Sequence, residues 1–286
     1  MKTGLVLEGG GMRGVYTSGV LDAMMDAGLH ADYVIGVSAG ANNGVSFVSG
    51  QRGRSMRINL NYIDDKRYLS FHNFVKERSL FGMRFLFEEI ANKLDPFDYE
   101  AFLRAPTEFV AGVTDVETGK TAYFNKSYIN HDSTVLRASS SIPMFSPVVH
   151  YLGGAYLDGG TTDPIPFHKA LEDGCERVIV VLTRDRSYEK KPEPMRAAYK
   201  KLLSSMPAMI GALDRRSEVY NAQRARLFEM EEEGRAIVVA PKQPLAISRF
   251  EKDKEKLKAA YAEGMADARE VMQARREVLR CWGMLG

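Results

Sequence analysis

The chain has 286 residues, 45% of them hydrophobic and 27% charged, the balance of a globular protein long enough to bury a sizeable core. Its 39 basic and 37 acidic side chains leave a formal charge of +2, which gives no ground for a nucleic-acid partner. Its two cysteines, Cys175 and Cys281, stand in no disulfide-scaffold or zinc-ligand spacing, and no stretch approaches the roughly 18 uninterrupted apolar residues of a membrane span. The first residues hold too short an apolar run for a signal-peptide core, so the chain is read as cytoplasmic.

Thr3 to Glu8 predicts a short buried strand that ends at glycines. Val15 to Ala27 predicts a helix, with Val20, Leu21, Met24 and Met25 on one side and Gly28 as its stop. Tyr33 to Val37 is a second apolar strand, and small residues from Ala39 to about Ser49 form the next helix. Strand, glycine turn, helix, strand, turn, helix is the βαβ opening of a parallel sheet with helices on its faces. Arg54 to Arg104 is rich in phenylalanine and weak in strand signals, so it reads as inserted helices and loops.

Strands resume in "EFVAGVTDVETGKTAYF", with a turn at Glu117 to Lys120. A helix over Ser133 to Ser140 ends before Pro143, a strand pair surrounds Gly153-Gly154, and "RVIVVLTRD" reads as a fully buried strand. From Lys190 the composition turns helical, with Pro207 and Gly211 expected to interrupt it. "RAIVVAP" adds one strand, and Phe250 to Arg280 a long charged helix whose charges form a solvated face.

Two glycine motifs carry the chemistry. Gly9, Gly11 and Gly14 in "GGGMRG" spell G-x-G-x-x-G, the pattern of a loop whose amides bind a dinucleotide pyrophosphate. That reading wants an acid at the carboxyl end of the second strand, whereas Asp32 stands at its beginning and Ser38 at its end. A Walker A loop fails for want of a following Gly-Lys-Ser/Thr. The second motif, Gly36-Val37-Ser38-Ala39-Gly40, matches G-x-S-x-G between an apolar strand and a helix, the setting of a serine held at a sharp turn. In a parallel βαβ unit both loops lie at one edge of the sheet, so the glycine amides can face a charge that develops above Ser38.

A serine nucleophile needs a proton acceptor. None of the five histidines stands in a motif, although an order Ser38, Asp158, His168 is formally available. Asp158, followed by Gly159 and Gly160, is the stronger candidate, against the plain reading of a turn-forming Asp-Gly pair. The aromatic stretch Phe71 to Phe87 reads as an acyl-chain wall or lid, or as ordinary core.

In this order, "GGGMRG", "GVSAG" and "DGG" resemble the patatin-like phospholipase family, as does "RASSSIPMFSPVV" (137–149) ahead of the aspartate. The resemblance covers residues 3–185, and residues 190–286 are similar to the helical extension of a bacterial subgroup. It implies a three-layer α/β/α fold with a mainly parallel central sheet and that extension packed on it. It further implies a cofactor-free lipid acyl-ester hydrolase with a Ser38 nucleophile, an Asp158 proton acceptor and no histidine. Its oxyanion loop would be Gly9, Gly10, Gly11, Met12, Arg13 and Gly14, with the amides of Gly10, Gly11 and Met12 as donors. The implied partners are a lipid or fatty-acyl ester and, peripherally, the inner membrane surface. A dinucleotide enzyme and a non-catalytic lipid-binding regulator are the competing readings.

Overall fold

The short apolar runs become strands of one eight-stranded sheet in the computed structural model, which describes residues Met1–Gly286. The strands are β1 (Thr3–Leu7), β2 (Tyr33–Val37), β3 (Glu108–Asp115), β4 (Thr121–Asn125), β5 (Val149–Tyr151), β6 (Gly154–Asp158), β7 (Arg177–Val181) and β8 (Ala236–Val239). Their order is β5-β6-β3-β2-β1-β7-β8, with β4 also on β3. Strands β1, β2, β3, β7 and β8 run parallel, while β4, β5 and β6 are antiparallel to their neighbours, so the sheet is mixed.

The helices are α1 (Gly14–Asp26), α2 (Ala39–Val48), α3 (Arg54–Tyr62), α4 (Phe71–Glu77), α5 (Tyr99–Arg104), α6 (Thr134–Ser139), α7 (Phe167–Glu172), α8 (Arg196–Leu202), α9 (Pro207–Glu232), α10 (Lys254–Ala274) and α11 (Arg276–Cys281). A π-helical segment, Phe85–Leu94, lies between α4 and α5.

The period-two alternation of the strands separates two cores. Leu5 and Leu7 of β1, with Val34 of β2 and Ile179 and Val181 of β7, pack with side chains of α1, α2 and α10. Val6, Ile35, Val178 and Val180 face the other way, onto Phe167 and Ala170 of α7 and Tyr220, Leu227 and Met230 of α9. Both faces of the sheet are therefore covered, giving three α/β/α layers.

For the carboxyl-terminal stretch, Gly211 and the extent of the last helix are corrected. The helical run does break at Pro207, between α8 and α9, but the proline stands at the first position of α9, where its missing N–H costs nothing, whereas Gly211 interrupts nothing and is accommodated inside that helix. The final charged helix starts at Lys254 rather than Phe250, because the Asp253 side chain accepts from the amides of Glu255 and Lys256, and it breaks at Arg275 before α11. Strand β8 from this stretch pairs with β7, so residues beyond 190 extend the same sheet.

Candidate active site

The sheet places Ser38 and Asp158 by register. Strand β3 pairs along one edge with β4 from Val110 to Thr114. On its other edge β2 pairs up to Val37, opposite Gly112, and antiparallel β6 takes over from Val113, opposite Asp158. The end of β2 and the end of β6 thus meet head to head on consecutive residues of β3. This is how residues 120 positions apart in sequence come to face one another.

The turn after β2 is strained by design of its neighbours. Ser38 has φ 54° and ψ −127°, outside the regions open to most side chains. A Cβ on Gly40 would stand 2.3 Å from the Leu7 carbonyl oxygen, and one on Gly36 would stand 2.6 Å from the Gly40 carbonyl carbon. Only glycine fits two residues either side of the serine. The Ser38 amide donates to Ser139 Oγ (2.8 Å), which donates to the Gly112 carbonyl (2.8 Å), tying the elbow to α6 and β3. Asn42 Nδ2 donates to the Ser38 carbonyl (3.0 Å) and to Ser140 Oγ (2.8 Å). These serines belong to the "RASSSIP" stretch, which the sequence marks only as a motif without individual roles.

Asp158 is 7% exposed, as is Ser38. Its Oδ1 accepts from the Gly160 amide (2.8 Å), within the short turn that also holds Gly159. Burial pushes its pKa above the ordinary carboxylate range. The Ser38 hydroxyl, the Arg216 and Arg249 guanidinium groups and the Gly160 amide all act against that rise. The Ser38 hydroxyl faces this carboxyl without the geometry of a fully formed hydrogen bond, as in many catalytic pairs before substrate arrives. His168 instead stacks on Phe167 and faces Asp163, so the Ser38–Asp158–His168 order is not assembled.

The glycine loop follows β1 and lies beside the elbow. The amides of Gly9, Gly10 and Gly11 have no acceptor within the protein, and neither does that of Ala39 at the start of α2. The Met12 amide donates to the Arg249 carbonyl (3.1 Å) and the Arg13 amide to Gly10 (3.3 Å). The Gly14 amide bonds back to Gly11 and Met12. Within the six-residue loop, then, the free donors are the first three. Gly14 allows α1 to begin against the elbow, since a Cβ there would lie 2.6 Å from that of Ala39. Asp32 accepts from the Thr3 amide (2.7 Å) at the opposite end of the strands, which removes it from the ribose role the dinucleotide reading requires.

Two cavities of similar size, about 150 and 170 Å³, meet at Ser38, with Gly11 and Ile142 also common to both. One is apolar and is walled by Ile58, Phe81, Met83, Leu86, Phe87 and Ile90. The end of the Phe71–Phe87 stretch, with Phe81, Met83, Leu86 and Phe87, therefore lines a cavity, while Phe71 and Val75 of α4 are 73% and 70% exposed. The other is polar and lies over Asp158, with Arg13, Arg184, Lys190, Arg216 and Arg249 in its wall. None of these except Arg13 belongs to a sequence motif.

A family model described as patatin-like phospholipase matches residues 5–171. The chain belongs to the patatin-like phospholipase family. A second model, a domain of unknown function (DUF6363), matches residues 206–280. The uncharacterized protein YjjU of Escherichia coli K12 is 32% identical over 187 residues, covering 64% of this chain and 52% of the relative. Lysophospholipase NTE1 of Candida albicans is 26% identical over 189 residues, 62% of this chain and 13% of the relative. The chain therefore spans about half of one curated relative and a small part of the other. The crystal structure of VipD from Legionella pneumophila shares the fold, with a TM-score of 0.56, 13% identity, and coverage of 96% of this chain and 67% of that one. The patatin-like α/β/α fold, its mixed sheet and its helical extension are thus established. No helix is long and apolar enough to cross a membrane.

Proposed function

We propose that the protein is a serine acyl-ester hydrolase acting on lipids, with Ser38 as nucleophile and Asp158 as proton acceptor. The observation that carries this reading is the head-to-head meeting of β2 and β6, which sets a strained serine against a buried aspartate beside free backbone amides.

In this reading the acyl chain enters the apolar cavity and brings its ester carbonyl to Ser38. The Ser38 proton passes to Asp158 as the Oγ–carbon bond forms. Burial makes this carboxylate a stronger base than one in water. The carbonyl oxygen, now negative, is received by the amides of Gly9, Gly10 and Gly11, with Ala39 at the positive end of α2 beside them. Each such donor supplies about 3 kcal/mol of transition-state stabilisation. Collapse breaks the bond to the alcohol, which takes the proton from Asp158 and leaves an acyl-enzyme. Water then gives a proton to Asp158 as it attacks the acyl carbon, and collapse of this second intermediate breaks the bond to Ser38 Oγ, which takes that proton back from Asp158 as the acid leaves.

The catalytic unit in this proposal is residues 3–185, with 190–286 as an extension fused to its sheet. Cytoplasmic placement with peripheral contact at the inner membrane surface fits the exposed Phe71 and Val75, which present apolar surface on α4. A fluorophosphonate probe tests the assignment: label should map to Ser38 and disappear in Ser38→Ala. Labelling at another residue would move the nucleophile away from Ser38, and none in folded protein would leave the non-catalytic reading in its place.

A further inference from the structure

The polar cavity carries more positive charge than the dyad requires. Five cationic side chains, Arg13, Arg184, Lys190, Arg216 and Arg249, line it against three acids, Glu8, Asp158 and Glu193. The acids are engaged elsewhere or already in use. Glu8 accepts from the Tyr220 hydroxyl (2.8 Å) and from the Thr183 amide. Glu193 pairs with Arg216 (2.8 Å) and Lys190 (3.1 Å). Asp158 faces Ser38.

Arg13, Arg184 and Arg249 have no carboxylate within ion-pair distance. Arg13 is 8% exposed and its Nε is buried with no hydrogen-bond partner. A buried guanidinium left in this state is costly unless an anion completes it. Burial, and after it the charges of Arg184 and Arg249, pulls the Arg13 pKa down to about 10. Burial and Arg216 pull that of Lys190 down to about 8.

We propose that this cavity is a binding subsite for an anionic group of the phosphate type, carried on the alcohol side of the acyl ester. The preferred substrates are therefore acyl esters with a net negative head, not zwitterionic or neutral ones. The inference rests on the hydrolase reading for the word substrate, and on geometry alone for the anion site. Because the apolar and cationic cavities share Ser38, one molecule with a chain in the first and an anion in the second places its ester at the serine. Arg13 comes from the glycine loop, Arg184 follows β7, and Arg249 follows β8, so the subsite exists only when the carboxyl-terminal stretch is in place. Guanidinium groups suit this role because they present several donors to one phosphate.

The test uses ligands with no ester, so it does not depend on turnover. Decyl phosphate, decylphosphocholine and decyl maltoside are titrated into the full chain by calorimetry below their micelle-forming concentrations, with inorganic phosphate as a fourth ligand. Decyl phosphate should bind at least about tenfold tighter than the other two alkyl ligands, the worth of one charge-assisted hydrogen bond to a buried cation. It should also bind more tightly than inorganic phosphate, and Arg184→Met and Arg249→Met should each narrow its advantage. Should one variant fail to fold by circular dichroism, the other decides. Equal affinity for the three alkyl ligands, or an advantage untouched by either substitution, would overturn the anion subsite. Inorganic phosphate binding as tightly as decyl phosphate would overturn its link to the acyl ester. Failure of Ser38 labelling would sink the hydrolase reading and leave this binding result standing.

Discussion

Around Ser38, residues 3–185 contribute backbone geometry and two of the five cations, whereas residues 190–286 contribute the other three and a clamp. The first stretch supplies the elbow, the aspartate and the free amides, all placed by strand ends of one sheet. The second supplies Lys190, Glu193, Arg216 and Arg249 to the cavity wall, and Tyr220 to the Glu8 carboxylate just ahead of the glycine loop. Helix α10 also lies directly against α1, the helix that begins at that loop. A Cβ on Gly19 would stand 2.1 Å from the Tyr261 carbonyl oxygen, and one on Gly264 2.2 Å from that of Tyr16. Such backbone contact lets the carboxyl-terminal helix fix the position of the glycine loop. The two stretches are chemically distinct and mechanically one.

The sharpest way to separate them is to remove reactive groups without touching the clamp. Ser38→Ala should lower ester hydrolysis by about four orders of magnitude or more, to near background, with the melting temperature little changed. Asp158→Asn should cost about 10³-fold in kcat. It should not destabilise the fold, because the ionised carboxylate is held in a buried site that disfavours its charge. Thermal denaturation of this variant at neutral pH should give a melting temperature equal to or above that of the parent. A clear drop would mean that Asp158 is a structural ion-pair partner.

The pH dependence follows with its sign. In the proposed mechanism Asp158 must be ionised to accept a proton, and its folded pKa lies above the unfolded one despite Arg216 and Arg249 facing it. The acid limb of kcat/KM should therefore rise through a value above the ordinary carboxylate range. For stability the same shift works in the opposite sense to an ion-paired aspartate. The folded state holds this proton more tightly, so the contribution of Asp158 is lost as pH rises from the unfolded toward the folded pKa.

A change in the clamp should act the other way round, on stability first. Gly264→Ala should destabilise by about 1–3 kcal/mol as α10 is pushed off α1, with activity falling through the displaced loop. Tyr16→Phe leaves buried Asp267 without its 2.9 Å donor and should cost about 1–3 kcal/mol. If Gly264→Ala melted normally yet lost all activity, the clamp would be a catalytic element instead. The smallest effect belongs to Ser139→Ala, which removes the acceptor of the Ser38 amide. A loss of about fivefold in kcat with KM held marks a positioning role, since one neutral hydrogen bond is worth about 1 kcal/mol.

The two stretches also differ in how much of them the sequence discloses. Strands such as Tyr33–Val37 and Arg177–Val181 are legible because both faces are buried and the run is apolar without break. Ser38 is legible because two glycines are sterically required around it. Asp158 is legible as a residue, although its partner on β3 follows only from the register of β2 and β6. Pro207 was open to two opposite meanings, since proline either ends a helix or begins one, and the tertiary packing of α9 chose the second. The cationic cavity leaves no linear trace. Only Arg13 stands in a motif, while Arg184, Lys190, Arg216 and Arg249 lie in scattered segments, and each alone reads as an ordinary surface charge. The donor set is legible in part, since Gly10 and Gly11 are free as the resemblance implies, but only the Arg249 carbonyl, far along the chain, shows that the Met12 donor is taken.

The reaction itself leaves the most direct signature in a covalent intermediate. Wild-type protein mixed with a medium-chain acyl ester, quenched in acid within the first turnovers and digested for mass spectrometry, should carry the acyl group on the peptide containing Ser38. The adduct should be absent from Ser38→Ala. Steady hydrolysis with Ser38 unmodified in the quenched enzyme and retained rate in Ser38→Ala, or an acyl group on any other side chain, would show that the strained serine at the end of β2 is not the nucleophile.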